Sequence, residues 1–109
     1  MADKIYAVQI LAPAQIELED IAQVYLSLAG VQYARKITDK IYNALEQLAH
    51  FPLSGSPVHD KELFNLGYRF IVVEKYIIIY RLIDETVYVY HLFDGRTDYP
   101  TLLQTEFFN

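Results

Sequence analysis

The spacing of apolar and polar positions changes twice along the chain. Residues 4–11 alternate loosely over a short stretch, which predicts a strand. Ala12 and Pro13 end it, and Pro13 suits the first turn of a helix. From Ala14 the spacing becomes helical, with Ile16, Ile21, Val24, Tyr25 and Leu28 as the apolar positions. Glu17, Glu19 and Asp20 lie early in that helix, near the positive end of its dipole. Gly30 breaks it. A second helix is predicted over residues 31–49, with Val31, Ala34, Ile37, Ile41, Ala44, Leu45 and Leu48 on its apolar face. Arg35, Lys36, Asp39, Lys40 and Glu46 lie on the other side. A break of one residue makes the two helices an antiparallel hairpin. His50-Phe51-Pro52 closes the second helix, because the residue before a proline leaves the helical region.

Residues 53–64 read as one long irregular segment. It holds Ser54, Gly55, Ser56 and Pro57, followed by a mixed-charge patch at residues 59–62. After Gly67 the texture becomes that of strands. Residues 68–73, 76–83 and 86–93 are rich in Val, Ile, Tyr and Phe, and are separated only by Glu74-Lys75 and Asp84-Glu85. Breaks this short join antiparallel neighbours. The expected fold is α+β: an N-terminal strand at one sheet edge, an antiparallel helical hairpin, then a three-stranded antiparallel β-meander.

Two-residue turns pair Val73 with Tyr76 and Ile83 with Thr86, and side chains then sort by parity. One face carries Arg69, Ile71, Val73, Tyr76, Ile78, Tyr80, Leu82, Val87, Val89, His91 and Phe93. The other carries Tyr68, Phe70, Val72, Ile77, Ile79, Arg81, Tyr88, Tyr90 and Leu92. A bulge would invert part of this sorting. Both faces are apolar, and one helical hairpin covers one face. Assigned to the first face, whose centre is β-branched, it leaves the second as a Tyr-rich surface around Arg81. Such a surface calls for a partner, since Tyr and Arg are the residues that anchor interfaces. The expected partner-binding residues are Tyr68, Phe70, Ile77, Arg81, Tyr88 and Tyr90. Two other covers are a fold-back of residues 99–108 and a homodimer through the same face.

Length and composition narrow the function classes. At 109 residues the chain is read as one domain over residues 1–109. With 53% hydrophobic and 15% aromatic residues it is not globally disordered. No cysteine is present, which excludes disulfides, thiolate metal sites and a cysteine nucleophile. A net charge of −5 argues against holding nucleic acid by bulk charge. The start lacks a basic region and a small-residue cleavage site, and the longest nearly apolar run, residues 76–83, is far too short to span a bilayer. The expectation is a soluble cytoplasmic protein with no cofactor, no metal and no membrane partner. His50, His59 and His91 show no metal-ligand spacing, and no nucleophile elbow surrounds Ser54 or Ser56. Asp94-Gly95 signals a turn after the last strand, where Arg96 sits between Asp94 and Asp98.

The order of elements and several residues resemble the RelE/ParE toxin family of bacterial type II toxin–antitoxin (plasmid stabilisation) modules. The acidic run Glu17-Leu18-Glu19-Asp20-Ile21-Ala22 in the first helix carries part of the likeness. Leu48, Phe51-Pro52 and Gly55 resemble the family's helix exit. Gly67-Tyr68-Arg69, Tyr76, Tyr80-Arg81 and Gly95-Arg96-Thr97-Asp98 follow in order, the last resembling a Gly-Arg-Arg-Asp signature. The resemblance implies a RelE/ParE-like fold and a cognate antitoxin that wraps the toxin. It offers two activities: RelE-like members cleave messenger RNA in the ribosome, and ParE-like members poison DNA gyrase without a nuclease site.

The resemblance also separates the two. The RelE-type site places two lysines on the strand entering the meander, which fall at Tyr68 and Phe70 here. Its next arginine falls at Ile77, its arginine after the last strand at Thr97, with Arg96 one place earlier, and its C-terminal tyrosine at Leu103, with Tyr99 four places earlier. RNA cleavage by 2′-hydroxyl attack needs cations at the phosphate and a proton-transfer group. Tyr68, Phe70 and Ile77 supply no charge. No catalytic residue is therefore expected; Arg81, Arg96 and Tyr99 are the weak candidates. The implied function is a ParE-like, growth-inhibiting toxin. The alternatives are a non-toxic binding member and a ribosome-dependent endonuclease using Arg81 and Tyr99.

Overall fold

The computed structural model describes residues 4–95. The elements run in the order β1 (Ala7–Ile10), α1 (Ala12–Ala29), α2 (Val31–His50), β2 (Ser56–Pro57), α3 (Lys61–Asn65), β3 (Tyr68–Val73), β4 (Tyr76–Ile83) and β5 (Thr86–Asp94). They build one five-stranded sheet of order β1-β5-β4-β3-β2. The expected meander is present as β3-β4-β5, with β1 parallel to β5 at one edge and β2 antiparallel to β3 at the other. Glu74 and Asp84 open the two hairpin turns, each at a φ of 55°. The expected strand over residues 4–11 is shorter, because Tyr6 N–H leaves the sheet to reach Ala49 O at 2.8 Å and so ties the chain to the end of α2.

Gly30 alone joins α1 to α2. Its N–H donates to Leu26 O and its carbonyl accepts from Ala34 N–H, each at 3.1 Å, so one residue closes one helix and opens the next. That geometry needs a φ of 90°, which glycine adopts freely. The helices cover the first sheet face. Ala14, Leu18 and Ile21 of α1 and Ile37, Ile41, Leu45 and Leu48 of α2 pack on Tyr76, Ile78, Tyr80, Val87 and Val89. The face expected for α1 is corrected: Ile16, Val24 and Leu28 are exposed, Leu28 by 81%. Apolar residues lie all round this helix, so hydropathy alone does not select the buried stripe. The stripe that packs is Ala14, Leu18 and Ile21, with Tyr25 at its edge. On α2, Val31 is exposed and Ala49 is buried, while the rest of the expected face packs as read.

The strand parity holds until a bulge. Tyr80 pairs with Val89, but Ile79 pairs with His91, which leaves Tyr90 extra on β5. Beyond it the sorting inverts: Leu92 joins the helix-side core, and Phe93 packs on the opposite face. His91 pairs with Ile79 of that opposite face, and its Nδ1 lies 3.2 Å from Glu17 at the sheet edge. β1 has ended there, and the Glu17 carboxylate takes its place by accepting Leu92 N–H at 2.9 Å.

Tyr76 lies beneath the helices. Burial, and then a hydrogen bond to the Tyr25 side chain, push its phenol from 10.0 up to about 12. The unfolded chain ionises this group near its ordinary value, while the folded chain holds the proton. Folding stability is therefore lost as pH rises from about 10 towards 12. Urea midpoints should fall over that window and fall less steeply in Tyr76→Phe. Equal slopes in the two proteins would contradict this account.

Candidate functional site

The second sheet face is not bare. Residues 53–64, expected to be irregular, fold across part of it as β2 and α3. The Asp60 carboxylate caps α3 by accepting Leu63 N–H at 3.0 Å. Leu63 and Val58 then pack on Tyr68 and Ile79, with Phe70, Ile77, Tyr90 and Phe93 around them. The expectation of a single covering layer is thus corrected. The signal was present in Asp60 followed by Lys-Glu-Leu-Phe, but a helix of five residues leaves little periodicity to read.

The turn leading into β2 is held from beneath. Gly55 N–H donates to Tyr80 Oη at 2.9 Å, and Arg69 Nη1 donates to Gly55 O at 2.8 Å and to Leu53 O at 3.2 Å. Tyr80 is fully buried, and burial raises its phenol above its ordinary value. Three residues that carried the family resemblance, Gly55, Arg69 and Tyr80, therefore share a structural task. They pin the segment that covers the second face.

Arg81 is the centre of that face. Its guanidinium carbon lies 4.8 Å from the Tyr68 ring centroid and 5.4 Å from that of Tyr90, with the two rings edge to face at 5.1 Å. Nη1 donates to Leu66 O at 3.2 Å and Nη2 to Tyr90 Oη at 2.9 Å. Planar stacking and fixed donors of this kind suit an arginine holding a surface together. Among the described residues Arg81 Nε is buried without an acceptor.

The six expected partner-binding residues separate into two groups. Tyr68, Phe70, Ile77 and Tyr90 meet in one cluster with Arg81 against it. Tyr68 is only 3% exposed, so its ring supports this face from within. Tyr88 does not join that cluster and pairs with Arg81 on one side and Gln9 of β1 on the other. Val72, 60% exposed, belongs to the open part of the face. The weak catalytic candidates Arg96 and Tyr99 lie outside the described residues, as does the segment 99–108 considered as a cover. Among the described residues no group of His, Cys, Asp or Glu could hold a metal ion, and no helix is long and apolar enough to cross a membrane.

Comparison with known proteins identifies this arrangement. Residues 8–99 match the family described as the ParE toxin of the type II toxin–antitoxin system parDE. The chain belongs to the ParE toxin family. Its structure is similar to that of a chain from the chromosomal ParDE system of Pseudomonas aeruginosa, with a TM-score of 0.70 at 17% identity over 84% of this chain and 97% of that one. It is also similar to a chain of the toxin–antitoxin complex RelBE2 from Mycobacterium tuberculosis, with a TM-score of 0.58 at 20% identity over 83% of this chain and 98% of that one. No curated protein sequence matches this chain. The two structural likenesses support the RelE/ParE fold expected from the sequence. Membership of the toxin family rests on the family match.

Proposed function

We propose that this ParE-family chain is a growth-inhibiting toxin of the non-nucleolytic kind, acting on a target such as DNA gyrase and silenced by a cognate antitoxin. The observation that carries the reading is the state of the second sheet face. RelE-type chemistry would need cations at Tyr68, Phe70 and Ile77, and these positions hold packed apolar or aromatic side chains. Arg81, the nearest cation, is held in place by bonds from Nη1 to Leu66 O and from Nη2 to Tyr90 Oη and by two tyrosine rings, with its Nε buried. Little is left there to stabilise a pentacovalent phosphate. Gyrase enters from the resemblance to ParE-like members. The antitoxin enters from the family, and from a structural relative described as a toxin–antitoxin complex.

Inducible expression in a bacterial host tests the proposal. Growth arrest with a DNA-damage response, while bulk translation is initially intact, is the expected outcome. Arrest with rapid loss of translation would overturn the non-nucleolytic reading. Normal growth with folded protein in the lysate would overturn toxicity in that host.

A further inference from the structure

A second feature lies on the helix side of the sheet, at the end marked by the β3–β4 turn. Tyr25, Tyr33, Lys36, Ile37, Lys40 and Glu74 line a cleft of about 90 Å³. The Tyr25 and Tyr33 rings stack nearly flat, 5.9 Å apart at 9°, and Tyr33 is half exposed. Tyr25 packs against the buried helix-side core that contains Tyr76, so this aromatic wall is anchored from below. Lys36 and Lys40 stand one helical turn apart and face the same carboxylate. Lys40 pairs directly with Glu74, and Lys36 adds to the field that holds the Glu74 carboxyl below its ordinary range. Two cations thus share one anion, in a chain whose net charge is −5. Among the described residues Lys36 makes no salt bridge of its own, whereas the neighbouring Lys75 is taken by Asp94 at 3.5 Å.

We propose that this cleft receives a carboxylate side chain, flanked by an apolar residue, from an acidic segment of the antitoxin. The carboxylate would sit between Lys36 and Lys40, where Glu74 already shows that the lysines accept one. The apolar neighbour would lie on the exposed Tyr33 ring. The volume fits a side chain and is too small for a helix. A nucleic acid is the poorer occupant: the surplus here is a single positive charge, and phosphate backbones are held by several cations together. The inference rests on the antitoxin reading above and assigns that partner a second point of attachment, away from the Arg81 face.

The test uses the full chain and the antitoxin expressed from the reading frame adjoining its gene, with affinities measured across a salt series. Lys36→Glu combined with Lys40→Glu should weaken binding at least tenfold and flatten the salt dependence. Glu74→Gln changes the cleft in the opposite sense and should tighten binding severalfold. All these side chains are exposed, so matched circular dichroism and melting curves check that the fold persists. Restoration of the double variant by an acid-to-lysine change in the antitoxin would support the proposal. Unchanged affinity and salt slope in the double variant, with wild-type binding intact, would overturn it. A single-stranded RNA oligonucleotide that binds the wild type and is lost in the double variant, with antitoxin affinity unmoved, would also overturn it. Absence of wild-type binding would instead count against the antitoxin reading on which the inference rests.

Discussion

Gly55→Ala should destabilise the protein by about 3 kcal/mol or more. A methyl group added there would stand 2.5 Å from Tyr80 Oη, 2.7 Å from Tyr80 Cε1 and 2.7 Å from Phe70 O. None of these atoms moves cheaply. Tyr80 is fully buried beneath the helices, and Phe70 O belongs to the backbone of β3, which pairs with β2 at this point. Relief requires the turn to lift, which breaks the Gly55–Tyr80 and Gly55–Arg69 hydrogen bonds and draws β2 off the sheet edge. A domain of this size is stable by only about 5–15 kcal/mol, so the loss is a large fraction. The melting temperature should drop on the order of 12–20 °C. Gly30→Ala provides the comparison. Its added carbon meets nothing within 4 Å, and only the backbone at φ 90° and ψ 175° resists it, at about 1–3 kcal/mol. Equal melting temperatures for the two variants would contradict the packing described at Gly55.

Leu63→Ala should act more locally. Leu63 is fully buried, and with Val58 it holds the five-residue α3 against Tyr68 and Ile79. Truncating a buried leucine costs about 2–5 kcal/mol, and a helix this short has no stability of its own to offset the loss. The helix-side core shares none of these buried contacts, so the cost should appear as opening of the α3 segment. The amides of Phe64, Leu66 and Gly67, which bond within this segment, should exchange on the order of a hundredfold faster, at about 1.4 kcal/mol per decade. A dye that reports apolar surface should bind as the second face is uncovered, while amides of β4 keep their protection. Uniform acceleration across the sheet would mean that α3 and the core unfold as one unit.

The sequence and the structure agree most closely where many residues repeat one signal. The strands from Tyr68 onward, their two-residue turns and the helix pair about Gly30 follow directly from periodicity and breakers. Agreement is lost where a single residue decides. One extra residue at Tyr90 turns Leu92 and Phe93 over, and alternation carries no trace of it. On α1 the packed stripe is Ala14, Leu18 and Ile21, while Ile16, Val24 and Leu28 stay outside, because apolar residues on every side leave hydropathy no means of choosing. The Tyr68–Arg81–Tyr90 cluster was legible from parity alone, since all three positions precede the inversion. The role of Gly55, Arg69 and Tyr80 was visible only as resemblance: their contacts join a turn to two strands distant in sequence. The Lys36–Lys40–Glu74 cleft was hidden for the same reason, and the lysines read simply as the solvent side of a helix.

The proposed function is that of a ParE-type toxin without nuclease chemistry. The purified full-length protein, titrated in parallel into a DNA gyrase supercoiling reaction and into ribosomes translating a defined messenger RNA, tests it most directly. Inhibition of supercoiling with accumulation of cleaved plasmid, and intact messenger RNA at the same concentrations, is the expected result. Cleavage of the messenger RNA on the ribosome, with supercoiling unaffected, would contradict it.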